Sequence, residues 1–291
     1  MIPGKATSAI GFRPTMIGDG IMSLVLAAYL RRRHPDCYIN WVVGGKCSVA
    51  APLYVQHPLI DRILVSSTDG YGPELADVVR CCDFVFDPLP QHPTGDGWVN
   101  DSGIDIYSET FRMSGLPLSE YAILSTEERC PRLYPWWPIK RQPKTVALWP
   151  AAHQGVKQKR YPAFEWYSEL VTRLGKEGYR VLQFGHPDDF KGRSLTGSSL
   201  HDMRYASFLE QVQMSVGCDV VITTDSGAGL VQGAYRVNQI SLLTNHWPGH
   251  DPAINPLCFS TNNPKNRPLF AAGDPDLIPV DDVVASVKEM T

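Results

Sequence analysis

The chain has 291 residues, 43% of them hydrophobic and 20% charged, with a formal net charge of −3. This describes a folded protein with room for two domains and excludes a disordered chain. The charge gives no global basic field for nucleic acid, although a local basic groove stays open.

In chain order, residues 8–12 read as a short apolar strand. A loop over residues 13–20 follows, carrying Thr15, Gly18, Asp19 and Gly20. Residues 21–33 keep helical spacing through Ile21, Leu24, Val25, Ala28 and Tyr29, and Pro35 closes the helix. Its end, Arg31-Arg32-Arg33, suits a helix C-terminus, where cations complement the dipole. An anionic partner is one reading of this triplet, a solvated helix end the plainer one. Strands are expected over residues 38–43, 62–65 and 83–87, with helices over 48–56 and 73–81. Alternation of this kind implies a parallel, doubly wound sheet.

Between residues 116 and 144 the pattern lapses into Pro117, Pro131, Pro135, Pro138, Pro143 and the Trp136-Trp137 pair. This reads as an interdomain linker. The tryptophans suit packing at a junction or, alternatively, stacking on a sugar or base. Alternation then resumes, with strands over 145–149, 179–184, 219–223 and 239–243 and helices over 163–174, 206–216, 228–235 and 280–290. The expected division is 1–130 and 144–291, two Rossmann-like halves facing a cleft. The last helix is a candidate to pack back on the first half.

The most informative stretch runs from Cys218 to Leu243. A β-branched strand breaks at Asp225-Ser226-Gly227, and a small-residue helix follows through Ala228 and Gly229. Such a junction aims unpaired N–H groups and the positive end of the helix dipole above the sheet, which favours an anion such as phosphate. Gly227, Gly229 and Gly233 allow close approach. An ordinary turn with an Asp or Ser cap is the other reading.

No apolar run approaches the about 20 residues that span a bilayer, and no signal-peptide pattern opens the chain. Peripheral contact with a membrane stays open. Seven cysteines include the neighbours Cys81 and Cys82 but no C-x-x-C, which fits reduced, mostly buried thiols and a cytoplasmic protein. His246 and His250 are four apart, but Pro248 and Gly249 prevent the helix that a paired zinc site would use, so no metal is expected.

Four stretches in order resemble glycosyltransferase family 9, the ADP-heptose:lipopolysaccharide heptosyltransferases of GT-B fold. They are Met16-Ile17-Gly18-Asp19; Trp149-Pro150-Ala151-Ala152-His153 with Lys159-Arg160-Tyr161-Pro162; Phe184-Gly185-His186-Pro187-Asp188-Asp189; and Thr224-Asp225-Ser226-Gly227-Ala228-Gly229. The chain departs from the family at Leu230, where histidine is usual, and at Leu243-Thr244-Asn245-His246, where Phe-Gly-Pro-Thr is usual. It is also shorter than typical members.

The resemblance implies an inverting, metal-independent transfer of a heptose or hexose from a nucleotide diphosphate-sugar, ADP in the family, to a hydroxyl. No cofactor is needed beyond that donor. Without a metal, protein groups must stabilise the departing diphosphate. Lys159 and Arg160 are the candidates, although apart from the resemblance a solvated basic loop is the plainer account of them. Asp225, Ser226, Gly227, Ala228 and Gly229 belong near the same phosphates, except that the Asp225 carboxylate would repel a diphosphate and suits a sugar hydroxyl or a helix cap instead. Asp188 or Asp189 suits the ribose hydroxyls, and whichever does not is a turn residue. Asp19 is the candidate general base, with Thr15, Gly18 and Gly20 beside it; the plainer role for Asp19 is a helix cap. The acceptor, whether glycan, protein or hydroxylated nucleobase, is not encoded legibly.

Two other functions compete. Gly227, Gly229 and Gly233 after a strand suit a dinucleotide-dependent oxidoreductase, but the acid expected after the next strand is missing at Leu243-Thr244-Asn245. Leu230 suits a non-catalytic binding module on the same fold.

Overall fold

The computed structural model describes residues 7–11, 17–67, 72–86, 110–111, 114–130, 132–150, 161–244 and 261–291. It comprises two compact units, Met1–Trp136 and Trp137–Thr291.

In the first unit, strands β1 (Thr7–Gly11), β2 (Tyr38–Gly44), β3 (Arg62–Ser66) and β4 (Phe84–Phe86) form a parallel sheet in the order β3-β2-β1-β4. β2 is buried from Ile39 to Gly44, as a central parallel strand covered on both faces must be. Helix α1 (Ile17–Arg33) is buried over nearly its whole length, so the apolar stripe read from its sequence understates its burial. α1 also begins four residues earlier than expected. Gly18, Asp19 and Gly20 belong to its first turn rather than to a preceding loop, and all three are buried. Ser23 Oγ donates to the Asp19 carbonyl at 2.7 Å.

The segment predicted helical around residue 50 is a 3-10 helix, Gly45–Tyr54, with Pro52 inside it. Helix α2 (Gly72–Arg80) precedes β4. The expected linker is partly ordered, with helix α3 (Leu118–Ala122) and a turn in which Ser125 and Glu128 exchange backbone-to-side-chain hydrogen bonds. These acids account for the arginine triplet. Arg33 makes a two-pronged contact with Glu120 (2.7 and 2.7 Å), Arg32 pairs with Glu128 (3.0 Å), and Arg31 with Asp61 (2.5 Å). The triplet therefore fastens α1 to its own unit.

The two tryptophans separate. Trp136 Nε1 donates to the Pro52 carbonyl at 2.8 Å, whereas Trp137 packs edge-on against Tyr235.

The second unit has a six-stranded parallel sheet in the order β10-β9-β8-β5-β6-β7. Its strands are β5 (Gln142–Trp149), β6 (Arg180–Gln183), β7 (Leu200–Asp202), β8 (Cys218–Thr224), β9 (Gln239–Thr244) and β10 (Asn266–Ala271). β7 and β10 were not expected. Both are edge strands, one only three residues long and the other interrupted by Pro268, which an edge tolerates.

Alternate residues of the inner strands, among them Val146, Leu148, Val220, Ile222, Ile240 and Leu242, share a core with α4 (Phe164–Lys176) and α7 (Val280–Met290). α7 buries Val280, Val283, Val284 and Val287 there, so its apolar face is used within the second unit. Each such side chain contributes roughly 1.5–3 kcal/mol. Helices α5 (Phe208–Val216) and α6 (Gly227–Ala234) connect the remaining strands.

Candidate functional site

The strand order fixes where a ligand can bind. The chain leaves β5 toward β6 and β7, then returns to the other side of β5 at β8. In open α/β sheets such a reversal opens a crevice at the strand C-termini. Here β5 ends at Trp149 and β8 at Thr224, with Trp149 paired to Thr223. Trp149 stacks on Phe184 at 5.2 Å and is 4% exposed. Trp149 Nε1 and Thr224 Oγ1 are buried donors without a partner. Orphans of this kind are uncommon in native proteins, and two of them end the two central strands.

α6 starts directly above. Ser226, in extended conformation (φ −157°, ψ 163°), is its N-cap and accepts from Gly229 N at 3.3 Å. The sequence offered Asp225 or Ser226 as cap, and the hydroxyl takes that role. The first turn of α6 contains no acid. The remaining first-turn N–H groups have no partner within the helix, and with the dipole they make a place for an anion. Leu230 follows one position later with 9% exposure, on a helix whose other side is buried. Behind it, Gln239 Nε2 donates to Thr223 Oγ1 (2.9 Å) and to the Gly229 carbonyl (3.0 Å), tying helix to sheet.

The loop after β6 separates the two neighbouring aspartates. Asp189 is buried, and its Oδ2 accepts the His186 N–H at 2.8 Å. Gly185 has φ +124°, and a Cβ there would lie 2.3 Å from Asp189 Oδ2, so only glycine lets the carboxylate close this turn. Burial pushes the Asp189 carboxyl up, opposed by the His186 N–H. Asp189 is thus held within the turn, whereas Asp188 is exposed, with its Oδ2 3.5 Å from His186 Nδ1. Phe190 and Lys191 follow in left-handed conformation (φ 54° and 58°). This turn sends the Phe190 ring among Tyr161, Phe164 and Tyr167.

Sequence reasoning missed Arg204. Its side chain has no exposed surface, and its guanidinium donates to Asp202 Oδ1 and Oδ2 (2.9 and 2.8 Å), Ser194 Oγ (2.7 Å) and the carbonyls of Pro187, Asp189 and Arg193 (3.2 Å each). Arg204 holds the Asp202 carboxyl down to about 2. The only available signal was a lone Met-Arg-Tyr before a Ser-x-x-Glu capping box, which the structure confirms at Ser207 and Glu210.

The remaining predicted residues are dispersed. Asp19, Gly18 and Gly20 lie in the first unit, in the first turn of α1, with Asp19 8% exposed. Thr15, Lys159, Arg160, Asn245 and His246 lie outside the described residues. Tyr161, the first described residue after Lys159-Arg160, meets the Phe190 ring edge-on at 6.0 Å. Among the described residues, no group of three or more His, Cys, Asp or Glu side chains could hold a metal.

Two parallel sheets flanked by helices, one with a helix N-terminus at its switch point, make an α/β fold of the GT-B class, the fold of glycosyltransferases. The family model "Glycosyltransferase family 9 (heptosyltransferase)" matches residues 113–270. The chain belongs to that family.

Solved structures agree at the level of fold. An E. coli ADP-heptose lps heptosyltransferase II is 15% identical, with TM-score 0.69 over 98% of each chain. E. coli heptosyltransferase WaaC with ADP is 11% identical, with TM-score 0.59 over 98% of this chain and 100% of that one. The iron-containing dodecameric glycosyltransferase TibC from enterotoxigenic E. coli is 13% identical, with TM-score 0.59 over 98% of this chain and 76% of that one. No curated protein matches the sequence.

Proposed function

We propose that the protein transfers a heptose or hexose from an ADP-linked donor to a hydroxyl acceptor, inverting the anomeric centre without a metal. The observation that carries this reading is the β8–α6 junction at the switch point, where a serine cap leaves an acid-free helix start for a diphosphate. It lies within the family match. WaaC, of the same family, is seen with ADP.

The second unit, Trp137–Thr291, holds the donor. The first-turn N–H groups of α6 take the phosphates with Ser226 beside them, and Lys159 and Arg160 supply the positive charge that a metal would otherwise bring. Asp188 takes the ribose hydroxyls. The first unit, Met1–Trp136, brings the acceptor. Its hydroxyl oxygen attacks the anomeric carbon as the carbon–oxygen bond to the diphosphate breaks. The proton passes to Asp19, and the nucleoside diphosphate leaves with the bonding pair. A carboxylate is too weak a base to deprotonate an alcohol beforehand, so proton transfer accompanies bond formation.

The reading places the reaction in the cytoplasm. Free thiols support this: of the six described cysteines Cys37, Cys47 and Cys218 are buried, Cys82 and Cys130 partly so and Cys81 is exposed, and none is in a disulfide. Among the described residues no helix is long and apolar enough to cross a membrane.

The test is thermal melting with a panel of nucleoside diphosphates and nucleotide sugars, followed by mass spectrometry of candidate acceptors. An ADP-sugar should raise the melting temperature and yield a glycosylated acceptor with inverted configuration, with or without EDTA. Stabilisation by NADH alone would overturn the reading.

A further inference from the structure

Arg204 does more than fill a cavity. Its guanidinium grips the carbonyls on both sides of Asp188, those of Pro187 and Asp189, and so fixes the loop after β6. The same group is bound to Asp202 at the end of β7 and to Ser194. One buried cation therefore locks the loops of two adjacent strands together.

The next residue is the opposite in character. Tyr205 is 77% exposed, more than any other large hydrophobic side chain among the described residues. The backbone under it is heavily determined. Arg204 N donates to Asp202 Oδ1, and Ala206 N to the Met203 carbonyl. Gln211 Nε2 donates to the Arg204 and Ala206 carbonyls, and its Oε1 accepts from Gly185 N in the neighbouring loop. The Ser207–Glu210 capping box fixes the chain as it enters α5. A large aromatic ring is thus held in water by a rigid turn, which is the arrangement of a preorganised contact.

The strand order says what that contact would meet. From the anion site above β8, the strands run β8, β5, β6, β7. That is three spacings of about 4.8 Å, or about 14 Å. An extended nucleoside diphosphate with its phosphates at α6 and its ribose at Asp188 carries its base onward to the loop after β7.

Resting on the donor reading above, we propose that Tyr205 is the stacking surface for the donor's nucleobase, and that Arg204 is a positioning residue that sets Tyr205 and Asp188 in register. Stacking is tolerant of base identity, so Tyr205 contributes affinity for adenine and uracil nucleotides alike, and the diphosphate end is indifferent to it.

Calorimetric titration with ADP, UDP and inorganic pyrophosphate tests this on the full chain. Tyr205→Ala should weaken ADP roughly tenfold and UDP measurably, leave pyrophosphate unchanged and leave the melting temperature near that of the parent. Tyr205→Phe should bind as the parent does. Arg204→Lys should also weaken ADP without affecting pyrophosphate. Because it acts partly through the ring, its loss should shrink in the Tyr205→Ala background, a coupling that a merely structural role would not produce. Should Arg204→Lys fail to fold, Asp202→Asn takes its place in the same cycle. Tyr205→Ala that binds ADP as tightly as the parent, or that loses pyrophosphate in parallel, overturns the proposal, and full additivity in the cycle overturns the role of Arg204. A parent protein that binds none of the three ligands overturns the donor reading, and this inference with it.

Discussion

The two units each set a helix near the C-terminal end of an inner strand, α1 after β1 and α6 after β8, and they equip it oppositely. α1 carries a buried carboxylate, Asp19, within its first turn, between two glycines. α6 has a serine hydroxyl as cap and no acid in that turn. The same backbone dipole is present in both. In α1 it is answered by the chain's own acid, and an anion would be repelled. In α6 it is left for an anion from outside. Under the proposed function the first junction receives a proton and the second a phosphate.

Exchanging these properties should break the comparison. The largest effect belongs to Asp19→Asn. It retains size and hydrogen-bonding capacity but not basicity, so turnover should fall by about a hundredfold or more while ADP affinity and melting temperature hold. Near-normal turnover in a steady-state assay would make Asp19 a structural residue like any other in the turn.

Next comes Ser226→Asp, which makes the second junction resemble the first. Aspartate caps a helix as well as serine, so melting should hold or rise slightly. A charge-assisted contact is worth roughly 1.5–3 kcal/mol, and its replacement by repulsion should weaken ADP by about one to two decades while leaving adenosine almost unaffected. Equal loss of both ligands by calorimetry would show that the loop had been distorted.

The smallest effect concerns the scaffold behind the donor loops. The Arg204 guanidinium, with Ser194, depresses the Asp202 carboxyl to about 2. A folded-state value below the unfolded one contributes stability that is complete above about pH 4 and is lost as pH falls through about 2. Asp189 works against this. Burial raises its carboxyl, so its destabilising contribution disappears on acidification. Asp202→Asn should therefore flatten the acid limb of a denaturation curve taken from pH 5 to pH 2, and Asp189→Asn should steepen it.

The sequence made the alternation of strands and helices legible because parallel strands are apolar runs and their crossovers keep helical spacing. The strand-to-helix junction was equally readable, since Asp-Ser-Gly after a β-branched run admits few conformations, but the choice of Ser226 over Asp225 as its cap was not. The start of α1 was not. Gly18 and Gly20 punctuate a sequence as loop residues, yet burial of the whole helix outweighs their propensity. β7 and β10 were invisible because edge strands need no apolar alternation. The different burial of Asp188 and Asp189 depended on the positive φ of Gly185, which no pattern of residue types encodes. Arg204 escaped because a buried cation is recognisable only through partners that the fold collects from residues 187 to 202.

The strand order also governs the order in which the molecule can assemble. β5 meets β6 through Val146 and Val181, a local pairing, but meets β8 through Val146 and Val220 only after β6, β7 and two helices have been passed. Distant pairings carry the larger loop-closure cost and tend to come late. The proposed phosphate site is complete only once β8 has joined β5, so a nucleotide should have nothing to hold in the folding transition state. Stopped-flow refolding of the second unit should accordingly proceed at the same rate with or without ADP, and the whole gain in stability should appear as slower unfolding.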